Sequence, residues 1–146
     1  TRLEPVLETL RIIAASGRHL EITTLIIPGQ NDNPDEISSE AEWISSELGK
    51  EVPLHISRYF PMNRRNDPPT SGETLERIAM IAGEILDYVY LGNIRTGKWH
   101  DTKCPACGTI VTKRSGYNVD LTSLDVSGNC LKCGKKIYKY LTLPGQ

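Results

Sequence analysis

Apolar residues recur at helical spacing at the front of the chain. Leu3, Val6, Leu7, Leu10, Ile13 and Ala14 fall on one stripe, and Gly17 stands where such a helix would stop. A first helix over about residues 3–16 follows. The run HLEITTLIIPG, 19–29, then loses this period, is rich in β-branched residues and closes on Pro-Gly, the mark of a buried strand leaving into a loop. After the polar QNDNPDE, a helix is predicted over about 35–48, with Ile37, Ala41, Ile44 and Leu48 on one face, Gly49 as terminator and Asp32 as the expected cap. VPLHISRYF, 52–60, holds a second strand, followed by the irregular PMNRRNDPPT. Thr70 and Glu73 have capping-box spacing ahead of a third helix whose stripe is Leu75, Ile78, Ala79, Ala82 and Ile85. DYVYLGN supplies a third strand.

Helices and strands alternating across short connections predict parallel strands joined by crossover helices, an α/β sheet. Ligands of such sheets bind beyond the carboxyl ends of the strands, here PGQND, the stretch around HISRYFPMN, and GNIRTG. Three parallel strands make a small sheet with an exposed edge, and the chain opens inside a helix without a methionine, so part of a larger barrel is expected.

Beyond Gly97 the pattern changes. All four cysteines lie in the last third, as CPACG and CLKCG, so a second domain is expected over 97–146 after an α/β domain over 1–96. Each knuckle offers two thiolates on a tight turn whose glycine tolerates positive φ, and two knuckles together give a closed four-thiolate cage of Cys104, Cys107, Cys130 and Cys133. A module this small needs such a staple. TIVTKR and KKIYKYL read as its strands, a zinc-ribbon or rubredoxin-like hairpin pair. A closed thiolate set favours structural zinc; iron is the other option, and disulfides within Cys104/Cys107 and Cys130/Cys133 are the redox alternative. His100 either joins or supports this site or is a solvated linker residue.

Seventeen basic residues stand against eighteen acidic ones, and no apolar run is long enough to cross a membrane. A membrane is therefore not expected, and paired CxxC motifs point to a reducing compartment, the cytoplasm. Lys103, Lys113, Arg114, Lys132, Lys135, Lys136 and Lys139, with Tyr117, Tyr138 and Tyr140, make the cysteine-bearing end basic, but the balanced total charge favours a solvated face, and a nucleic-acid partner is not expected. Trp43 and Trp99 read as core or interface packing.

The segments LEITTLIIPGQNDNPDEI, VPLHISRYFPM, ETLERIAMIAGEILDYVYLGNI, TKCPACGTIVTKRSGYNV and GNCLKCG, taken in that order, resemble the carboxyl-terminal half of the radical S-adenosylmethionine enzymes of the AmmeMemoRadiSam system, relatives of pyruvate formate-lyase activating enzyme. The resemblance runs over nearly the whole chain. It implies part of a barrel that binds S-adenosylmethionine and a 4Fe-4S cluster and cleaves the cofactor to a 5'-deoxyadenosyl radical. The cluster motif of that family, CxxxCxxC, is absent here, so the cluster and cofactor are expected in the parent protein only, and this chain is expected to be inactive alone. Expected partners are the missing amino-terminal barrel half and the two other families of the system. The strand ending in Pro-Gly matches Ile22 to Gly29, with Thr23 where the activating enzyme has a cofactor-side arginine. Pro53, Leu54 and His55 match its Pro-Tyr-His, keeping the histidine and losing the aromatic.

The cofactor-side candidates are thus His55, Arg58, Asn31 and Asn93. His55 and Arg58 have opposite parity along a strand, so only one of them points into a barrel. His55 is either a ligand-side residue or a histidine packed under a helix. Arg58 either clamps a carboxylate or phosphate or pairs with acidic helix residues. A non-enzymatic ribbon module on an α/β scaffold, or a rubredoxin-like electron carrier, are the competing functions.

Overall fold

The computed structural model describes residues 2–63, 65–94 and 97–141. It divides into two compact units, Thr1–Arg95 and Thr96–Gln146.

In the first unit the order is α1 (Leu3–Ala15), β1 (Ile22–Ile26), α2 (Pro34–Ile44), β2 (Leu54–Arg58), α3 (Gly72–Gly83) and β3 (Val89–Gly92). The three strands form one parallel sheet in sequential order, with Thr23, His55 and Tyr90 side by side across it. The mixed α/β architecture with a parallel sheet is the one the alternation of periods predicts. Period two decides which side chains enter the core. Ile26, Leu54, Ile56, Val89 and Leu91 are buried together with Ile37, Ala41 and Ile44 of α2 and Leu75, Ile78, Ala79 and Ala82 of α3. The alternate set, Thr23, Leu25, His55, Ser57 and Tyr90, is exposed or half-buried.

Several local expectations are corrected. Asp32 does not cap α2: its carboxylate accepts from Gly29 N at 2.9 Å, while Asn33 takes the cap position, accepting from Asp35 N, and Pro34 opens the helix. A preset proline φ suits a first helical position, which places the start one residue earlier than the apolar stripe alone suggests. The α-helix also ends at Ile44 and widens into a π-turn, Ser45–Gly49, closed by Gly49 at φ +106°. On α3 the cap is Ser71, whose hydroxyl accepts from Thr74 N at 3.0 Å, and not Thr70.

Thr70 is wholly buried instead. Its hydroxyl donates to Ile26 O at 2.6 Å and accepts from Tyr59 N at 3.2 Å, tying the carboxyl ends of β1 and β2 to the start of α3. Thr70→Val keeps the shape and leaves a buried carbonyl and a buried amide unpaired, so a loss of roughly 1–3 kcal/mol is expected in urea unfolding.

On the helix side of the sheet Thr24 donates to the carboxylate of Glu40. Burial raises the Glu40 carboxyl above its ordinary range, the Thr24 hydroxyl partly offsetting it. A carboxyl that titrates higher folded than unfolded favours the fold while protonated. That contribution is lost as pH rises from the unfolded pKa through the folded one. Glu40→Gln is expected to flatten this dependence, read as urea midpoints between acid and neutral pH.

α1 spans the predicted residues, and Gly17 follows it at φ +72°. Its apolar stripe is only partly covered: Leu7, Leu10, Ile13 and Ala14 are half-buried, Leu3 and Val6 are exposed, and no residue of the helix is fully buried. Arg11 fastens it to the α2 side through Glu47 Oε2 at 2.7 Å and through its guanidinium, 5.4 Å from the ring of Trp43. Trp43 is thus half-buried against α1.

The second unit contains a 3-10 turn (Gly97–Trp99) and β4 (Thr102–Lys103), β5 (Ile110–Ser115) and β6 (Asn118–Asp120), an antiparallel sheet. TIVTKR forms the expected strand. KKIYKYL does not: among its residues only Lys136 makes an isolated bridge, to Asn129, while Ile137 N and Tyr138 N both donate to Gly128 O. Gly128 has φ +79°, and a Cβ there would stand 2.7 Å from Tyr138 O. Gly128→Ala is therefore expected to destabilise this unit by more than the ~1 kcal/mol of an ordinary glycine replacement, measured as a lower melting temperature.

Candidate metal centre

Each cysteine knuckle is built by the same two backbone hydrogen bonds. Gly108 N donates to Cys104 O and Gly134 N to Cys130 O, both at 2.8 Å. Cys104 N donates to Thr109 O and Cys130 N to Lys135 O, again at 2.8 Å. Gly108 and Gly134 hold φ of +70° and +74°, which explains why a glycine closes each CxxC. The repeated geometry turns the two sulfurs of each knuckle toward those of the other.

The four Sγ atoms lie within 4.8 Å of one another, with Cys104 and Cys133 3.5 Å apart and Cys107 and Cys130 3.7 Å apart. Four thiolates around an ion at the usual zinc–sulfur distance stand about 3.8 Å apart, so sulfurs grouped this closely suit a four-thiolate metal ion. All four thiols are free, and these two close approaches run between knuckles, not within them. Cys104 and Cys130 are buried against Val111, with Leu124 and Ile137 packed around them, whereas Cys133 is exposed.

The four thiols do not ionise alike. Thr109, through its hydroxyl and its backbone amide, holds the Cys107 thiol down to about 6. At Cys133 the backbone amide of Lys135 favours the thiolate, yet the neighbouring thiols, Cys104 first, push it up to about 12. Sulfurs this close cannot all ionise unless a positive charge sits among them.

Around the centre the small apolar core is supplemented by a polar one. Thr102 and Thr112 are buried, and both bond the Tyr138 hydroxyl, at 3.0 and 2.8 Å. Arg114 donates to Thr102 Oγ1 at 2.8 Å and to His100 O at 3.0 Å, and Asp101 accepts from Arg114 N at 2.8 Å. Arg114, read from sequence as part of a basic surface, is thus an internal brace. Among the described residues the cluster that could hold a metal consists of the four cysteines; His100 contributes its carbonyl to the brace. Arg114→Met is expected to cost roughly 1–3 kcal/mol in the thermal or urea transition of the second unit, because it removes charge-assisted hydrogen bonds to the buried Thr102 hydroxyl and the His100 carbonyl.

The four cofactor-side candidates separate into two groups. Asn31 is spent on the β1 turn, accepting from Ile27 N at 2.8 Å and donating to Leu25 O at 2.9 Å. Arg58 donates to Thr70 O at 2.7 Å, and its guanidinium lies 4.7 Å from the Phe60 ring. Asn93, at φ +59°, places its amide 3.5 Å from Arg58 O. These three stand at the carboxyl ends of the strands. His55 does not; it is the second residue of β2, on the less buried face, stacked 5.2 Å from Tyr90.

There His55 Nε2 lies 3.0 Å from Glu21 Oε2, and His19 Nε2 lies 2.8 Å from Glu21 Oε1. Burial raises Glu21, but hydrogen bonding and charge from the two histidines outweigh it and leave the carboxyl below its ordinary range. Sequence reasoning missed Glu21, His19 and Tyr90. The H-x-E spacing was visible, but sheet register, which brings Tyr90 and the end of β1 beside His55, was not.

No helix among the described residues is long and apolar enough to cross a membrane. The chain is similar to an uncharacterized protein of Methanocaldococcus jannaschii, at 42% identity over 138 residues. That match takes in 92% of this chain and 41% of the relative, so the chain spans about two fifths of the length of the curated relative it matches. No family model and no solved structure matches.

Proposed function

We propose that residues 96–146 form a zinc-binding ribbon in which Cys104, Cys107, Cys130 and Cys133 hold one structural ion. The convergence of four sulfurs within 4.8 Å of one another carries this reading. A closed four-thiolate shell leaves no position for water or substrate, so the ion braces the fold and does not activate a nucleophile. Purified chain is expected to contain about one zinc and no visible colour; stoichiometric iron with thiolate charge-transfer bands would replace this reading with a rubredoxin-like electron carrier.

For the first unit the reading is part of a radical S-adenosylmethionine enzyme of the AmmeMemoRadiSam system, related to pyruvate formate-lyase activating enzyme. Three features support it: the ordered motifs from PGQND to the double knuckle, a parallel sheet whose second face is exposed or half-buried, and a relative more than twice as long. In this reading the cluster, S-adenosylmethionine and the remaining barrel strands belong to the rest of the parent polypeptide. The carboxyl-end residues Arg58, Asn31 and Asn93 then shape the rim of its site, and His55 faces the barrel interior. The test is anaerobic reconstitution of the full-length parent with iron and sulfide, followed by chromatography for 5'-deoxyadenosine. Formation of that product on reduction is expected; a parent that assembles no cluster and cleaves no S-adenosylmethionine would sink the proposal.

A further inference from the structure

The near-neutral total charge conceals a strong division. Residues 1–95 carry nine Lys and Arg against fifteen Asp and Glu, whereas residues 96–146 carry eight against three. Even after four thiolates and one divalent ion are included, the ribbon unit remains positive while the α/β unit is negative. A small unit with this excess attracts polyanions independently of the chain as a whole.

The structure adds where the charge and the aromatic surface lie. Thr102 and Thr112 stand opposite each other and both turn inward to Tyr138. Their successors Lys103 and Lys113 are both exposed, a register shift between Thr102 and Lys103 setting Lys103 opposite Ile110. β5 continues past Lys113 to the β5–β6 turn, where Gly116 at φ +60° reverses the chain and presents Tyr117, which is fully exposed. Asp120 pairs across the ladder with Lys113 and is the one acid on this hairpin. A second exposed ring, Tyr140, has the Lys139 ammonium 5.3 Å from its centroid. A tyrosine standing clear of the protein at the tip of a basic hairpin contributes nothing to folding and is suited to stacking on an unpaired base while lysines take the flanking phosphates.

We propose that the ribbon unit binds single-stranded nucleic acid, with Tyr117 as the stacking platform and Lys103 and Lys113 as phosphate contacts. This inference does not depend on the radical-enzyme reading of the first unit. The test is fluorescence anisotropy of the full metal-loaded chain with labelled oligo-U RNA and oligo-dT DNA of about twelve nucleotides, at about 50 and 200 mM KCl. Binding that weakens with salt is expected, the RNA and DNA arms showing which sugar is preferred. Tyr117→Ala should weaken it roughly tenfold with the salt dependence unchanged. Lys103→Ala with Lys113→Ala should lower the log–log salt slope by about 1.4, for two phosphates on a single strand. Metal content and amide dispersion verify that each variant is folded. No binding at the lower salt, or binding indifferent to Tyr117→Ala, would overturn the proposal. So would displacement of the oligonucleotide by poly-glutamate as readily as by unlabelled oligo-U, which would assign the face to acidic polypeptides.

Discussion

Chelation is expected to unfold residues 96–146 and leave the helical signal intact. The buried core of this unit is little more than Val111 and the sulfurs of Cys104 and Cys130, partly covered by Leu124 and Ile137. Apolar burial on that scale cannot offset the ordering of some fifty residues. Metal binding contributes about 10–16 kcal/mol in comparable zinc modules at neutral pH, so its removal exceeds any stability the unit can hold by itself. The α-helices among the described residues all lie in the other unit, which makes circular dichroism near 222 nm a built-in control. Amide dispersion in the NMR spectrum should collapse for 97–141 alone, and Cys104→Ser should reproduce the effect without chelator. The ligands bind as thiolates, so acid should act in the same direction: protons compete with the ion, and the unit is lost as pH falls. A second unit that keeps its dispersion after complete stripping would show that the brace of Arg114, Thr102, Thr112 and Tyr138 carries the fold.

The second large effect is expected from truncating the central strand. Ile56 is buried between sheet and helices at the middle of β2, with Thr24 and Leu91 beside it in register. Ile56→Ala should cost roughly 2–5 kcal/mol, through lost transfer energy and the cavity left behind. That is a large share of the stability of a unit this size. Leu25→Ala, on the opposite face of the neighbouring strand, removes a side chain that is 44% exposed and should stay within about 0.5 kcal/mol. Urea midpoints for the pair decide which face is core. Equal losses would mean that the face of Leu25, His55 and Tyr90 is packed after all.

The ribbon's ligand set was legible from sequence because it is a local property. Two CxxCG knuckles fix their own hydrogen bonds, so spacing alone named the four sulfurs. The third helix and the alternation along the strands were equally legible, since periods of 3.6 and 2 are written in the order of apolar residues, but which strand face is buried was left open. Caps were less so. Asp32, Asn33, Thr70 and Ser71 are all chemically competent, and the choice between neighbours depends on where the preceding strand releases the chain. Thr70 illustrates this: its spacing to Glu73 suggested a cap, but the ends of β1 and β2 offered its hydroxyl a buried carbonyl and a buried amide.

What the sequence determined by itself, then, is the set of interactions closed within a few residues: helix faces, strand parity, and the two knuckles whose cysteines could hold a metal. Tertiary structure alone decided the interactions that span many residues. It turned Arg114 from a surface cation into a brace, placed His55 with Glu21 and Tyr90, and left Leu3 and Val6 of the α1 stripe exposed. The physical reason is register. A one-residue slip between strands changes every cross-strand neighbour while leaving each strand's own pattern untouched, so no reading along the chain can recover it.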